Sequence, residues 1–366
     1  MRNRLLVACA AFALGLAVLL AVQPASAQVL KGSRFDRIFI IMMENQGFDD
    51  VIGHNDGTSL CGPPESPGCP DTPYITFLAT NFELATLYFG TTHPSLPNYL
   101  SMFAGDFFGI HDDNPSCAAK PPQSPCDPVI AGPTLVDTLE SAGGSWEAFE
   151  QTMPSAGFLG PRWPLTGDTL YAQKHNPFVY FKNVVDNPVR LAKILPYKNS
   201  GDLASRFASP ATTPNVVFIV PDQCHDMHGQ PGCSNNDALL REGDAHVAGL
   251  VYTITSSRAF TSNSVILVVW DENDYSSNLG CCLSTNPGGG HIAAIVIPGQ
   301  LPPGPLRSAT LYNHYSTLKT IEDNFGLVRL RNSASPLISN LYGLIPAWSY
   351  GGTSAREILR RAPAVR

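Results

Sequence analysis

The stretch RIFIIMM, residues 37–43, is followed directly by the polar pair Glu44 and Asn45. A nearly continuous run of apolar side chains of this length is typical of a β-strand buried on both faces, as in a parallel or mixed α/β sheet. In such sheets, ligands bind beyond the carboxyl ends of the strands. We therefore expect Glu44 and Asn45 to lie at the ligand-binding edge of a central sheet.

Three further apolar runs border residues able to ligate a metal: NVVFIV (215–220) before Asp222, SVILVVW (264–270) before Asp271 and Glu272, and IAAIVIP after His291. Between the runs, helix signals predict helices over 133–142 and 316–325, each ending at glycine. The sequence therefore predicts an α/β fold with a central, mostly parallel sheet flanked by helices. Carboxylate and carboxamide oxygens at one edge are suitable ligands for a divalent cation, which points to a metallohydrolase.

The N-terminus has the composition of a secretory signal. Two arginines precede an apolar stretch, and Ala25-Ser26-Ala27 has the small residues of a cleavage site. Gln23-Pro24 interrupts the apolar core, so we predict no stable membrane span. A lipoprotein cleavage box, LVAC (6–9), is present in outline, but no apolar segment precedes it. We predict an exported protein, either secreted or periplasmic.

We divide the chain into a signal peptide (1–27), one catalytic domain (28–349) and a C-terminal tail (350–366) that frays. One domain is preferred to two because the sequence has no repeat and no low-complexity linker. Its Pro/Gly-rich stretches, such as 153–177, fall between predicted core elements. The formal net charge of −7 becomes −9 without the two arginines of the signal, which disfavours a nucleic-acid partner. The oligomeric state is not indicated.

Eight cysteines follow the predicted signal, an even number that indicates disulfides in an exported chain. The local pairs Cys61–Cys69, Cys117–Cys126 and Cys224–Cys233 would each clip a Pro/Gly-rich loop. The adjacent Cys281 and Cys282 either pair with each other or exchange partners with the rest. No spacing is CxxC, so a zinc site built from these thiols is disfavoured.

The candidate nucleophile lies in the segment GTTHPSLPNYLSMFAG, residues 90–105. Ser95 precedes Pro97 and an apolar helical pattern, so it lies at or beside the start of a helix. There the backbone N–H groups and the positive end of the helix favour an anion, either a serine alkoxide or a phosphate. The alternative for a serine in this position is an ordinary helix cap.

Four segments resemble, in order, the conserved boxes of a bacterial phosphoesterase family that contains phospholipases C and acid phosphatases, within the alkaline phosphatase superfamily. They are ENQGFD (44–49), PDQCHDMH (221–228), GHIAAIVIP (290–298) and NHYSTLKTIED (313–323). The resemblance extends from about residue 36 to residue 328. It implies an alkaline phosphatase-like α/β sandwich, to which the cysteine pairs would add long, disulfide-clipped loops.

The resemblance also implies a metal site. It carries the role of metal ligand over to Glu44, Asn45, Asp271 and Glu272, and it implies one or two divalent cations of undefined identity. Glu272 departs from the Asp-Asp pair of acid phosphatases and from the Asp-His pair of two-metal relatives. The number of ions therefore stays open, with Asp274 as an alternative to Glu272.

The superfamily pattern S/T-x-x-N matches Ser95 and Asn98, which implies Ser95 as nucleophile and metal ligand and Asn98 as the holder of a phosphate oxygen. Thr91 and Thr92 are rival nucleophiles, but neither has an asparagine three residues on. Five further residues form the pool for a second half-site or for the activation of water. We assign His291 and His314 as catalytic histidines. We assign Asp222, Asp226 and His228 as ligands of a possible second metal site.

The expected activity is that of an exported acid phosphatase that hydrolyses phosphate monoesters through a phosphoserine intermediate. A phospholipase C-like phosphodiesterase acting on a phospholipid headgroup is the alternative, and an inactive secreted binding protein is a third. A lipase would need an apolar rim, and several aromatic residues are candidates for it: Phe107, Phe108, Phe178, Tyr180, Phe181 and Tyr275.

Overall fold

The computed structural model describes Leu30 and residues 33–53, 70–113, 130–345 and 352–364. The predicted signal peptide and two of the predicted cysteine pairs, Cys61–Cys69 and Cys117–Cys126, lie outside these residues. Across the described residues, no helix has the length and apolar character needed to cross a membrane.

The strands of the described residues are β1 (Arg37–Met43), β2 (Glu83–Phe89), β3 (Trp146–Gln151), β4 (Arg162–Trp163), β5 (Tyr171–Ala172), β6 (Ile194–Tyr197), β7 (Val216–Val220), β8 (Ser264–Trp270), β9 (His291–Pro298), β10 (Arg307–Ser308) and β11 (Tyr312–Asn313). The central sheet has the order β10-β2-β9-β8-β1-β7-β3-β6, and β11 also pairs with β2. Strands β4 and β5 form a separate small ribbon.

The helices of the same residues are α1 (Phe48–Val51), α2 (Pro73–Asn81), α3 (Ser95–Ala104), α4 (Leu135–Ser141), α5 (Lys182–Val185), α6 (Pro188–Leu191), α7 (Asn236–Ser256), α8 (His314–Phe325) and α9 (Ala355–Leu359). The helices predicted over 133–142 and 316–325 are confirmed as α4 and α8. Helix α8 begins two residues early because the Asn313 side chain accepts a hydrogen bond from the Tyr315 N–H and caps it.

Strand β1 lies inside the sheet, parallel to β7 on one side and to β8 on the other. Every residue of β1, β7, β8 and β9 is buried. A strand covered on both faces needs apolar side chains at successive positions, which explains the runs in the sequence. The predicted α/β fold with a mostly parallel central sheet is confirmed.

Strand β9 is antiparallel to both of its neighbours in the sheet, β2 and β8. Because of this reversal, its first residue, His291, pairs with Phe89 at the carboxyl end of β2. The beginning of β9 therefore lies at the edge of the sheet where β1 and β8 end.

Residues 352–364 of the predicted C-terminal tail include α9, which contacts the end of α7. The Arg356 guanidinium of α9 donates to the backbone oxygens of Thr255 at 2.6 Å, Ser257 at 2.7 Å and Phe260 at 2.6 Å. These carbonyls lie at and just beyond the end of α7, where helices leave carbonyl groups without intrahelical partners. An arginine that satisfies three of them ties the segment down.

Of the predicted cysteine pairs that fall in the described residues, Cys224–Cys233 is confirmed, with an S–S distance of 2.00 Å. It closes the loop that leads from β7 to α7. The sulfur atoms of Cys281 and Cys282 lie 2.50 Å apart. Of the two arrangements that the sequence left open, the structure has the one in which these adjacent cysteines pair with each other.

Helix α8 buries a carboxyl group whose protonation couples stability to pH. Glu322 is fully buried and accepts hydrogen bonds from the Leu330 N–H at 2.8 Å and the Ser333 hydroxyl at 2.6 Å. Burial, which outweighs these hydrogen bonds, raises the pKa of Glu322 to about 7. Since this pKa exceeds that of an unfolded glutamate, the folded protein holds the proton more tightly. Its stabilising contribution is present at acid pH and is lost as the pH rises towards 7.

We expect Glu322→Gln to remove this pH dependence. Between pH 4 and pH 8, wild type should lose about 2–3 kcal/mol more unfolding free energy than the variant, because one pKa unit corresponds to about 1.4 kcal/mol. Urea unfolding at both pH values, in the presence of a chelator, measures the difference. Glu357→Gln, at an exposed glutamate of α9, is the control. An equal pH dependence in wild type and Glu322→Gln would contradict the prediction.

Candidate active site

Ser95 is the first residue of α3 and lies against carboxylates from the ends of two strands. Its Oγ donates a hydrogen bond to Glu44 Oε2 at 2.9 Å and lies 3.4 Å from Glu272 Oε1. Ser95 and Glu44 are fully buried, and Glu272 is nearly so. The other oxygen of Glu44, Oε1, accepts a hydrogen bond from the Tyr99 hydroxyl at 2.5 Å. The structure therefore brings together three of the residues that the sequence predicted for the site.

Asn45 and Asp271 border the same carboxylate group. Asn45 adopts a left-handed backbone conformation, with φ of 49°, and its N–H donates to Asp271 Oδ1 at 3.2 Å. The side-chain oxygens Asn45 Oδ1 and Asp271 Oδ2 are buried without a hydrogen-bond partner. Buried oxygens of this kind normally have a hydrogen-bond donor or an ion as partner. The donor set, three carboxylates and a carboxamide, fits a hard divalent cation.

The clustered carboxyl groups are held at raised pKa values. Burial is the main cause for Glu44, Asp271 and Glu272, and neighbouring negative charge is the next. That neighbour is Asp271 for Glu44, Glu272 for Asp271, and Asp113 for Glu272. Buried like charges favour protonated carboxyl groups unless a cation balances them. The electrostatics therefore fit a cation bound among these oxygens.

Two histidines lie on the opposite side of Glu44. His175 Nε2 is 3.2 Å from Glu44 Oε1, and His175 Nδ1 is 3.3 Å from Asp226 Oδ2. The His228 ring donates through Nδ1 to the Gly229 carbonyl at 2.7 Å, which leaves Nε2 as the acceptor. Glu44, His175 and His228 place ligand atoms within 4.8 Å of one another and form a candidate metal-binding triad.

Lys174 supplies a positive charge next to this triad. Its Nζ is 3.0 Å from His228 Nε2 and 3.1 Å from Asp113 Oδ2. The other carboxylate oxygen of Asp113 accepts from the Leu96 N–H, in the first turn of α3, at 3.2 Å. An anionic group thus lies between a lysine and a helix start, beside Ser95. This arrangement agrees with the anion preference predicted for the beginning of α3.

Lys174, His175 and Asp113 are site residues that the sequence did not predict. Lys174 and His175 lie in a single 3-10 turn within the stretch 153–177, which the sequence predicts to be a connection between core elements. The available signal was the polar triplet KHN, which interrupts a segment rich in aromatic residues between Tyr171 and Phe181. A basic pair enclosed by residues that pack into the core is unusual for a solvent-exposed loop.

Asn98 is close to the site but is engaged in a turn. Its Oδ1 accepts from the N–H groups of Thr91 at 2.8 Å and Thr92 at 3.2 Å, and its Nδ2 donates to the Thr92 carbonyl at 2.7 Å. Nδ2 also lies 3.5 Å from Glu272 Oε2. Asn98 therefore braces the turn that precedes Ser95, with only its Nδ2 directed towards the carboxylates.

The two histidines predicted to be catalytic form hydrogen bonds with backbone carbonyl groups and not with Ser95. His314 Nε2 donates to the Asp271 carbonyl at 2.6 Å, and burial lowers the pKa of His314 to about 4, which keeps the ring neutral. His291 Nε2 bonds the Thr86 carbonyl at 2.9 Å, and its ring stacks on Phe48. His314 thus fixes a strand end that carries a carboxylate, whereas His291 contacts β2 and α1.

The predicted second-site residues are only partly assembled. Asp226 lies beside His175, as described above, but Asp222 Oδ1 pairs with His225 Nδ1 at 2.8 Å instead of with His228. Asp274, the alternative to Glu272, is exposed and accepts from the Ser276 N–H at 3.1 Å. Glu272 itself points inward, where His93 Nδ1 lies 2.6 Å from its Oε2.

The fold is similar to that of a solved member of the alkaline phosphatase superfamily and to that of a lipoteichoic acid synthase. A superfamily member from Vibrio parahaemolyticus matches with a TM-score of 0.50 and 13% identity, over 85% of this chain and 72% of that one. The lipoteichoic acid synthase LtaP from Listeria monocytogenes matches with a TM-score of 0.50 and 10% identity, over 84% and 77%. At these identities the likeness concerns the fold alone.

The model of the phosphoesterase family matches residues 69–328, and the chain belongs to that family. A probable acid phosphatase of Kluyveromyces lactis is 28% identical over 82% of this chain and 61% of its own length. A phosphatidylinositol-3-phosphatase of Mycobacterium tuberculosis is 28% identical over 84% of this chain and 83% of its own length. The chain thus spans about six-tenths of the fungal relative. The family resemblance inferred from the sequence is confirmed, and three of its four boxes, at 221–228, 290–298 and 313–323, lie within the matched residues. Membership of the family supports a hydrolase of phosphoric esters.

We expect a divalent cation to stabilise chelator-treated protein, because it would relieve repulsion among the buried carboxylates. At a concentration 100 times its Kd, a ligand adds about 2.7 kcal/mol of unfolding free energy. Asp271→Asn should lose most of the rise in Tm on addition of Mg²⁺ or Mn²⁺, measured by calorimetry. Asp186→Asn, at an exposed carboxylate paired with Lys182, should keep it. An unchanged shift in Asp271→Asn would exclude this carboxylate as a ligand.

Proposed function

We propose that the protein is a metal-dependent phosphomonoesterase of the acid phosphatase type that forms a phosphoserine at Ser95. The observation that carries this proposal is the 2.9 Å hydrogen bond from Ser95 Oγ to Glu44 Oε2, at the start of a helix and inside a buried carboxylate group. The fungal relatives named acid phosphatases support the substrate class, since they match 82% of this chain.

We place the cation on the oxygen-rich side of Glu44. Glu44, Asn45, Asp271 and Glu272 would hold it, and the unpartnered oxygens Asn45 Oδ1 and Asp271 Oδ2 lie on this side. On the histidine side, the Lys174 ammonium lies 3.0 Å from His228 Nε2 and would repel a cation bound to that nitrogen. When bound, the cation supplies Lewis-acid chemistry that favours the serine alkoxide and neutralises phosphoryl charge.

Ser95 performs the first chemical step. Its hydroxyl proton passes to Glu44 Oε2, the atom that its hydrogen bond already reaches, and Oγ attacks phosphorus. The bond between phosphorus and the alcohol oxygen breaks as the bond to Ser95 forms, and the departing oxygen takes a proton from solvent. The Tyr99 hydroxyl fixes the second oxygen of Glu44, so the carboxylate keeps its orientation towards Ser95. Water then attacks phosphorus, the bond from phosphorus to Ser95 Oγ breaks, Oγ regains its proton from Glu44, and phosphate leaves.

Lys174 binds the phosphoryl oxygens in this proposal. Its Nζ already contacts a carboxylate oxygen of Asp113 at 3.1 Å, while the Leu96 N–H contacts the other oxygen at 3.2 Å. A phosphoryl group would occupy the same anion position. Burial, followed by the charge of Lys174, lowers the pKa of His228 to about 4. The neutral imidazole therefore accepts a hydrogen bond and orients the ammonium.

The relative named phosphatidylinositol-3-phosphatase favours a second candidate substrate, a phosphate monoester carried on a lipid headgroup. The chemistry at Ser95 is the same in both cases, and only the alcohol differs. We also propose export to the periplasm or the medium. The signal-like N-terminus supports this localisation, and the Cys224–Cys233 disulfide is compatible with an oxidising compartment.

Ser95→Ala should abolish turnover of p-nitrophenyl phosphate, because no other group would take up the phosphoryl group. Ser101→Ala is the matched control: Ser101 is a buried serine of the same helix, and its hydroxyl donates to the Pro97 carbonyl at 2.8 Å. Rapid acid quenching of wild type with substrate should yield a phosphorylated peptide that contains Ser95, detected by mass spectrometry. Full activity in Ser95→Ala would overturn the nucleophile. Faster turnover of p-nitrophenylphosphorylcholine than of the monoester would favour the phosphodiesterase alternative.

Lys174→Met should lower kcat/KM for phosphate monoesters by roughly 100-fold, the typical effect of removing one electrostatic contact to the transition state. The Ki of inorganic phosphate should rise as well. Lys182→Met, which removes an exposed lysine paired with Asp186, is the control and should change neither constant. If Lys174→Met kept wild-type kinetics, the ammonium would have only a structural role.

A further inference from the structure

Tyr275 is an aromatic residue on the surface beside the site. Its side chain is 57% exposed, whereas the rim candidates Phe178, Tyr180 and Phe181 are buried in the core. The residue adopts a left-handed conformation, with φ of 66°, which is costly for a bulky side chain. The Asn273 side chain stabilises this conformation by accepting a hydrogen bond from the Tyr275 N–H at 3.1 Å. The chain thus holds a large ring at the surface at a conformational cost.

A short series of contacts connects this ring to the nucleophile. The Tyr275 ring stacks on His93, with centroids 4.0 Å apart and planes inclined by 19°. The His93 imidazole bonds Glu272 Oε2 at 2.6 Å, and Glu272 Oε1 lies 3.4 Å from Ser95 Oγ. Burial, followed by the negative charge of Glu272, raises the pKa of Tyr275 to about 12. The phenol therefore lies within electrostatic reach of the site and stays protonated.

His93 covers one face of the Tyr275 ring, so the large exposed area lies on the remaining surface. Ser95, Glu44 and Glu272 are buried, so the alcohol portion of an ester whose phosphoryl group is bound at Ser95 would extend towards the surface. A planar ring in that alcohol portion would contact the Tyr275 ring of the enzyme. Offset stacking of two such rings is favourable beyond the burial of their area.

We propose that Tyr275 is a specificity-determining residue that stacks on a planar ring in the alcohol portion of the substrate, so that aryl or nucleoside monophosphates are preferred to aliphatic ones. This inference rests on the proposed phosphomonoesterase function and narrows its substrate class. A quaternary ammonium headgroup is disfavoured, because such cations are bound by cages of several rings. Tyr275 is the single exposed aromatic residue that the described contacts connect to Glu272.

Hydrolysis by wild type, Tyr275→Ala, Tyr275→Leu and Tyr275→Phe tests this proposal with phenyl phosphate, a nucleoside monophosphate and glycerol phosphate. Each variant is compared with wild type on the same substrate, so differences in leaving-group chemistry cancel. Tyr275→Ala and Tyr275→Leu should lower kcat/KM for the two ring-containing substrates roughly three- to tenfold, mainly through KM, and leave glycerol phosphate unchanged. Tyr275→Phe should behave as wild type. Tyr252→Ala, at an exposed tyrosine of α7, is the surface control.

Calorimetric binding of phenylphosphonate and methylphosphonate provides a readout without turnover. Tyr275→Ala should weaken phenylphosphonate alone, by a similar factor. Equal losses on all substrates, or no loss, would overturn the role of Tyr275 and leave the phosphomonoesterase proposal intact. Wild type that hydrolyses none of the monoesters would refute the proposed function itself, and the inference with it.

Discussion

The placement of several carboxyl groups in one buried position is the constraint on which the rest of the site depends. Strands β1 and β8 are parallel neighbours with Met43 opposite Trp270, so the residues that follow them, Glu44 and Asp271, must emerge side by side. The pairing of the two strands therefore holds these carboxylates close enough to repel each other, and neighbouring groups must offset that repulsion. On one side of the carboxyl groups, the start of α3 and Lys174 supply positive potential. On the other side, the carboxylate and carboxamide oxygens are suitable ligands for a cation.

Much of the fold was predictable because its signals are local. Strands buried on both faces leave continuous apolar runs, and the residues after them lie at one edge in any mostly parallel sheet. Ser95 and Glu44 are distant in sequence, yet each is marked by its own element, a helix start and a strand end. His291 joins this edge only because β9 is reversed, and an apolar run does not reveal strand direction.

The parts that sequence reasoning missed come from irregular segments. Lys174 and His175 lie in one turn of 3-10 helix, and Asp113 lies in a loop, so no periodicity marks any of them. Their positions depend on long-range packing. Aromatic residues outside regular elements were ambiguous for the same reason: Phe178 is buried and Tyr275 is exposed, although neither stands in a pattern that would distinguish them.

Because β9 is antiparallel to β8, the connection between the two strands can vary in length and sequence without affecting the sheet. This segment, residues 271–290, leaves the sheet and returns to it at the same edge, so it has no need to cross a face of the sheet as parallel connections do. Its beginning carries metal-ligand candidates, and its middle carries Tyr275 and the vicinal cysteines. Insertions, deletions or whole-segment exchange in the middle would leave the sheet order untouched. The segment can therefore change in length or sequence without a change in strand order, and the proposed substrate preference can change with it.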